Sequence, residues 1–207
     1  MLLPLGETCS PVMAAPSQRE YFNERVGDFD VPQPAPVIER LAEVVGAAGL
    51  HPGEVVLDIG TGVGVLVPLI QSFNPSRIVA CDIAEKMLQR LQQKHPLVQT
   101  IHSDVADLPL EDDSVDVAFL NAMFGNIADK PRACRNLSRM LRPGGRMVVS
   151  HPEGRAFVEE LRRTSPLAIE SFPQRTQFQS LLQPLGLEVI TYRDEPKLYL
   201  MVARKER

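Results

Sequence analysis

Short, nearly continuous apolar runs alternate with amphipathic segments from residue 55 to residue 150, and that alternation restricts the chain to one class of fold. Residues 55–59, 77–82, 98–103, 115–121 and 146–150 read as strands with apolar side chains on both faces. Between them, 63–73, 84–95 and 130–141 place apolar side chains at helical spacing. A strand buried on both faces needs helices above and below it, the layering of a doubly wound parallel sheet. Segments 187–192 and 197–203 flank Asp194-Glu195-Pro196 and predict a closing hairpin. That hairpin adds one antiparallel strand, for a mostly parallel seven-stranded sheet. Helices are further predicted over 17–27, 37–49, 155–163 and 175–184, with a proline-bearing loop over 28–36. Residues 1–16 mix Pro4, Gly6, Pro11 and Pro16 without any period and predict a flexible leader, leaving 17–207 as one domain.

The first strand runs into a glycine turn, Val56-Leu57-Asp58-Ile59-Gly60-Thr61-Gly62-Val63-Gly64. Dinucleotide sites use G-x-G-x-x-G, and here the third glycine arrives one position early, with Val65 in its place. Asp58 adds a charge argument: a carboxylate two residues before the first glycine would repel a pyrophosphate. The turn suits a ligand with a cationic end and no phosphate. S-adenosylmethionine has those properties, with an ammonium group and a sulfonium. Asp82 ends the second predicted strand, where a carboxylate can accept from both ribose hydroxyls. The same side chain can instead cap the helix that starts near Ala84. Asp104 and Val105 follow the third strand, within reach of an adenine amine and ring face, although Asp104 also suits a turn or an N-cap. The fourth strand ends in Asn121-Ala122-Met123-Phe124, facing the expected cleft. Leu141-Arg142-Pro143-Gly144-Gly145 reads as a helix-to-strand turn in which both glycines supply positive φ.

Together, Asp58-Ile-Gly-Thr-Gly-Val-Gly64, Asp82, Asp104-Val-Ala-Asp-Leu-Pro109, Ser114-Val-Asp-Val-Ala118 and Leu141-Arg-Pro-Gly-Gly145 resemble the ordered motifs of class I S-adenosylmethionine-dependent methyltransferases. The likeness is greatest to the ubiquinone/menaquinone C-methyltransferase branch and covers about residues 35–150. It implies a Rossmann-like α/β fold with S-adenosylmethionine as cofactor and S-adenosylhomocysteine as product. It also implies that Gly60, Gly62 and Gly64 line the methionine moiety, Asp82 the ribose, and Asp104 and Val105 the adenine, with Met87 flanking the cofactor and Asp58, Thr61, Ile83 and Asn121 as further cofactor-binding residues. Ala84 stands where the family commonly has serine, which removes a helix cap. On these roles, Asp82→Ala is expected to weaken cofactor binding and leave folding nearly intact.

The acceptor is less legible. His151 ends the fifth strand and is the candidate general base, since imidazole titrates in a useful range. A histidine beside Pro152 can equally satisfy the backbone alone. Tyr21, Met123 and Arg155 are candidate acceptor contacts, Arg155 because guanidinium grips carboxylates. Composition narrows the partners. A net charge of −4 with no dense basic stripe argues against nucleic acid, and no apolar run reaches the about 18 residues of a membrane span. Cys9, Cys81 and Cys134 lack disulfide or metal-ligand spacing, so no metal is expected and a reducing compartment, cytoplasm or plastid stroma, fits. The expected function is methyl transfer to a small-molecule acceptor, by a monomer or homodimer. The alternatives are a non-catalytic S-adenosylmethionine or S-adenosylhomocysteine binder and, disfavoured by the glycine spacing, a nicotinamide oxidoreductase.

Overall fold

Residues 17–206 are described by a computed structural model of the protein, and the apolar runs meet there in one sheet. Its strands are β1 (Val55–Ile59), β2 (Arg77–Asp82), β3 (Gln99–His102), β4 (Val115–Asn121), β5 (Leu141–His151), β6 (Leu187–Glu195) and β7 (Leu198–Lys205). They lie in the order β3-β2-β1-β4-β5-β7-β6. β1 pairs in parallel with β2 on one side and β4 on the other, and all five of its residues are buried. β7 runs antiparallel to both β5 and β6, as the expected hairpin requires. The predicted leader lies outside the described residues.

Helices cover both faces. α3 (Ala35–Ala47), α4 (Val67–Gln71) and α5 (Glu85–Lys94) pack Leu41, Val44, Ile70 and Leu91 against Val56, Ala80 and Phe119. α6 (Lys130–Met140), α7 (Gly154–Thr164) and α8 (Arg175–Leu182) pack Leu137, Val158 and Phe178 against the alternate side chains, Leu57, Val79 and Ala118. Successive strand residues thus feed opposite cores, the period-two signature of a strand buried on both faces. The strand order reverses between β1 and β4, so the carboxyl ends of these strands diverge there into a crevice. No helix among the described residues is long and apolar enough to cross a membrane.

Several boundaries differ from expectation for identifiable reasons. The helix predicted over 63–73 is only Val67–Gln71, because Gly62 (φ +55°) and Gly64 (φ +86°) hold the chain in left-handed turns and Pro68 belongs in a first helical turn. α3 starts at Ala35, inside the predicted loop, again with a proline in its first turn. The helix predicted over 17–27 breaks at Arg25 into α1 (Gln18–Glu24) and α2 (Val26–Phe29). β5 begins at Leu141, so the expected turn at 141–145 is an irregular stretch of strand with a register shift opposite Val115 and Val117. Only Gly144 has positive φ there, at +82°. Gly145 is needed for space, since a Cβ would sit 2.8 Å from the Arg142 carbonyl oxygen.

α1 and α2 are fastened across the crevice. Ser17 and Glu20 form a reciprocal capping box that starts α1. The Glu85 carboxylate then accepts from Arg19 at 3.0 Å and from Asn23 at 2.8 Å, while Asp30 pairs with Arg90 and Lys94.

Candidate functional site

The glycine turn after β1 and the carboxylate at the end of β2 are locked to each other. Thr61 N–H donates to the Cys81 carbonyl at 3.2 Å, and Gly62 N–H donates to Asp82 Oδ2 at 2.9 Å. Asp82 Oδ1 accepts from Ala84 N–H at 2.9 Å, at the entry to α5. The carboxylate therefore supplies the cap that Ala84 lacks and fastens the turn as well. Each of its oxygens keeps lone-pair capacity for a ligand. The expectation that Asp82→Ala leaves folding nearly intact is corrected by these two bonds. Burial pushes the Asp82 carboxyl above its ordinary value, while the Ala84 and Gly62 N–H groups pull it back down.

Asp58 lies deeper, 2% exposed, and accepts from the Thr61 hydroxyl at 2.7 Å. Burial pushes its pKa up to about 7, the Thr61 hydrogen bond opposes this, and the Asp82 charge adds to it. Asp104 accepts from Ala106 N–H at 2.8 Å and caps a short 3-10 turn, and it faces solvent on the cavity rim. Asn121 Oδ1 accepts from the Ser150 hydroxyl at 2.9 Å, which leaves the amide NH2 free to donate. Next to it, Ala122 holds φ at +56°, a left-handed conformation that a non-glycine residue adopts at a cost, and its N–H donates to Ser150 O at 2.7 Å.

These groups line one cavity of about 540 Å³ at the carboxyl ends of the central strands. Asp58, Gly60, Thr61, Gly62, Asp82, Ile83, Met87, Asp104, Val105 and Asn121 all contribute, as do Tyr21, Met123 and His151. Two expected residues do not. Gly64 faces α5, where a Cβ would come 3.2 Å from Leu91 and His95, so its role is close packing of the turn on the helix. Arg155 is held elsewhere: it donates to the Tyr192 hydroxyl at 2.7 Å, pairs with Asp194 at 2.8 Å and lies over the Tyr199 ring. Arg162 and Arg163 are likewise spent on Glu159 and Glu160. No lysine or arginine appears among the described residues lining the cavity.

The far end of the cavity is apolar, and much of it escaped sequence reasoning. Phe157, Leu161, Leu167, Ile169 and Phe172 from α7 and the following segment form its wall, and Phe22 and Phe29 form its roof. Phe157 is 44% exposed on an otherwise amphipathic helix, a feature that the fold shows and the sequence alone does not. The 165–173 segment carries no periodicity that could have flagged it. His151, 6% exposed, sits between this wall and the cofactor end. Its ring lies 5.3 Å from Phe157 and 5.9 Å from Phe172, and Glu153 N–H donates to its Nδ1 at 3.2 Å. Burial pushes its pKa down to about 4.

The residues present fit S-adenosylmethionine. Three carboxylates line the cofactor end with no cation among them, which favours a positively charged ligand and disfavours a pyrophosphate. A Cβ on Gly62 would meet nothing within 4 Å, so the turn presents bare backbone to open space.

Comparison with known proteins agrees. Residues 57–149 match the model of the family described as "Methyltransferase domain". The ubiquinone/menaquinone biosynthesis C-methyltransferase of Vibrio campbellii is 31% identical over 113 residues, covering 51% of this chain and 44% of that protein. The chain spans between 28% and 52% of the length of four further curated relatives. Among solved structures, an S-adenosylmethionine-dependent methyltransferase from Aquifex aeolicus superposes with a TM-score of 0.70 at 20% identity, covering 88% of this chain and 97% of that one. The methyltransferase in a complex with the Haloferax volcanii Trm112 methyltransferase activator gives a TM-score of 0.75 at 18% identity, covering 90% and 98%. Motifs, sheet order and cavity chemistry agree with these matches: residues 57–149 resemble a methyltransferase domain, and the chain shares the fold of these S-adenosylmethionine-dependent methyltransferases.

Proposed function

We propose that the protein transfers a methyl group from S-adenosylmethionine to a small-molecule acceptor bound in the same cavity. The observation that carries this reading is the division of one cavity into an acidic, cation-free end at β1 and β2 and an apolar end at α7. The cofactor, when bound, supplies an electrophilic methyl carbon on a sulfonium, open to in-line displacement. The chain's task is to hold and dry that encounter.

Asp58 is assigned to the cationic amino end, Asp82 and Ile83 to the ribose, and Asp104 with Val105 to the adenine. Gly62 lets the backbone approach the ligand closely, while the missing side chain of Gly60 makes room for Met123, whose Cγ would come 2.7 Å from a Cβ there. Asn121 offers its free amide N–H groups at the strand end next to the acceptor. Met87 packs with Val63 and Ala84 beneath Phe22, so the aromatic roof and the cofactor floor meet at that side chain. Tyr21, stacked under Arg25 at 4.0 Å, and Met123 narrow the passage between the two ends. The relative from Vibrio campbellii is named for ubiquinone/menaquinone biosynthesis, which supports a small-molecule acceptor. Cys81 and Cys134 are buried free thiols, each pushed up to about 12 by burial, and both suit a reducing compartment such as the cytoplasm.

Calorimetric titration with S-adenosylhomocysteine tests the first half, and methyl transfer from radiolabelled S-adenosylmethionine to a panel of small acceptors tests the second. Saturable binding with turnover of an acceptor is expected. Binding with no turnover across the panel favours a non-catalytic binder, and absence of binding removes the reading altogether.

A further inference from the structure

The acceptor end has two features that none of the assigned roles uses: a histidine whose tautomer is set by the backbone, and a wall without a single cation. His151 ends β5, the strand next to β4 on the side away from β1 and β2. It therefore stands on the acceptor side of the cofactor-binding strands. Its Nδ1 accepts from Glu153 N–H at 3.2 Å. A neutral imidazole that accepts at Nδ1 carries its proton on Nε2. Nε2 has no protein partner among the described residues, and it is not among the sealed unpartnered atoms, which are Arg146 Nε and Arg155 Nε. The Nε2–H edge is thus open on a residue that lines the cavity.

The surroundings keep this arrangement in place. Phe157 and Phe172 flank the ring, Glu153 is the charged group that acts on it, and the Glu153 carboxylate is already paired with Arg40 at 2.7 Å and Lys197 at 3.3 Å. Arg40 also donates to the Pro152 carbonyl, which fixes the turn carrying the Glu153 N–H. A general base at Nε2 would need the proton moved to Nδ1, where it would face the Glu153 N–H donor head-on. Geometry therefore makes this histidine a donor.

We infer that His151 presents a fixed Nε2–H to an oxygen of the methyl acceptor, and that the acceptor is an uncharged, largely apolar molecule carrying that oxygen. This rests on the methyl-transfer reading for the word acceptor, while the tautomer and the binding preference stand independently of it. The wall of Phe157, Leu161, Leu167, Ile169 and Phe172 desolvates whatever enters. An anion placed there would lose its hydration and find no lysine or arginine, a loss that a neutral hydroxyl avoids by accepting from Nε2–H. In this arrangement His151 is a positioning and specificity group, and it takes no proton from the acceptor.

Three measurements test this. Two-bond proton–nitrogen correlation spectra of the full chain labelled with nitrogen-15 histidine, with and without S-adenosylhomocysteine, read the tautomer at neutral pH. The Nε2–H form is expected for His151, and an Nδ1–H tautomer or an imidazolium overturns the proposal. Titration of the S-adenosylhomocysteine complex with para-hexylphenol and para-hexylbenzoate reads the charge preference. At least about tenfold tighter binding of the phenol is expected, and equal or tighter binding of the benzoate overturns it. His151→Gln, which keeps an N–H near the same place, should hold phenol affinity within about threefold, and His151→Phe should lose about tenfold. An unchanged affinity in the Phe variant rejects the donor role. If S-adenosylhomocysteine itself fails to bind, the methyl-transfer reading falls, and the spectra of the free chain still decide the tautomer.

Discussion

Asp58 should couple cofactor binding to the release of a proton. The carboxyl is buried at the end of β1, and burial raises its pKa to about 7 against the opposing hydrogen bond from Thr61. At about pH 5.5 the free chain therefore holds this proton almost fully, and at about pH 7.5 it has largely lost it. An ammonium group arriving beside Asp58 favours the carboxylate. Binding in acid must then expel the proton first. With a pKa of about 7, the linkage factor falls from roughly thirty at pH 5.5 to about one at pH 7.5. The affinity for S-adenosylhomocysteine should accordingly drop roughly twentyfold on acidification, or about 1.8 kcal/mol.

The sign for folding is opposite in the free chain. A carboxyl whose folded pKa lies above its unfolded value of about 3.9 stabilises the fold most in acid, and that contribution is lost as pH rises through about 7. Cofactor removes this preference, so the complex should lose more stability in acid than the free chain does. Titration calorimetry in two buffers of different ionisation enthalpy measures the proton count directly. Close to one proton should leave at about pH 5.5 and few at about pH 7.5. Asp58→Asn should flatten the pH dependence and weaken binding at pH 7.5. Equal affinity at both pH values in the unaltered chain, with heats independent of buffer, refutes the reasoning. So would an Asn variant that keeps the acid dependence, since the protons would then come from another group.

Asp82→Ala removes the acceptor for both Gly62 N–H and Ala84 N–H, so urea unfolding should show a loss of about 2 kcal/mol together with weaker S-adenosylhomocysteine binding. An intact unfolding midpoint would mean the carboxylate serves ligand alone. Gly62→Ala introduces a left-handed alanine costing about 1 kcal/mol, yet its methyl enters open cavity, so affinity in the calorimeter should fall at least about tenfold beyond the stability effect. Unchanged affinity would place the ligand off the turn. Arg155→Ala breaks the contacts to Tyr192, Asp194 and Tyr199 and should cost roughly 2 kcal/mol in urea while leaving S-adenosylhomocysteine affinity unaltered. A large loss of affinity would return Arg155 to the site.

The acidic end of the cavity was legible in the sequence because its determinants are local. Asp58, Gly60 and Gly62 are fixed by one strand and one turn, and Asp82 by the end of the next strand, so residue order alone nearly dictates their positions. What sequence could not settle was which of two valid uses a side chain takes. Asp82 was read as a ribose acceptor or a helix cap, and its two oxygens serve the backbone at both Gly62 and Ala84. Gly64 belongs to the same motif, but φ of +86° turns it toward Leu91 and His95. The acceptor end depends on long-range contacts. Arg155 looked free until β6 and β7 brought Asp194 and Tyr199 beside it, a pairing set by strand register far downstream. Phe172 and Ile169 reach the cavity from a segment with no period to read.

The two ends of the cavity also differ in what holds them. The cofactor end is tied by buried or half-buried backbone hydrogen bonds, Thr61 to Cys81, Gly62 to Asp82 and Ala84 to Asp82, and breaking one strands a polar group away from water. The roof formed by α1 and α2 is tied by Phe22 and Val26 packed on Met87, by hydrogen bonds of Gln18 and Asn23, and by Arg19–Glu85 and the Asp30 pairs, whose cationic side chains are 56%, 41% and 37% exposed. Exposed pairs of that kind contribute about 0–1 kcal/mol each and weaken with salt. At Gly62 the turn holds φ at +55° and opens onto the cavity, so a larger residue there would meet backbone strain and fill cavity space. The α7 wall is apolar side-chain volume, so Phe157→Ala is expected to enlarge that end of the cavity and leave S-adenosylhomocysteine affinity in the calorimeter unaltered.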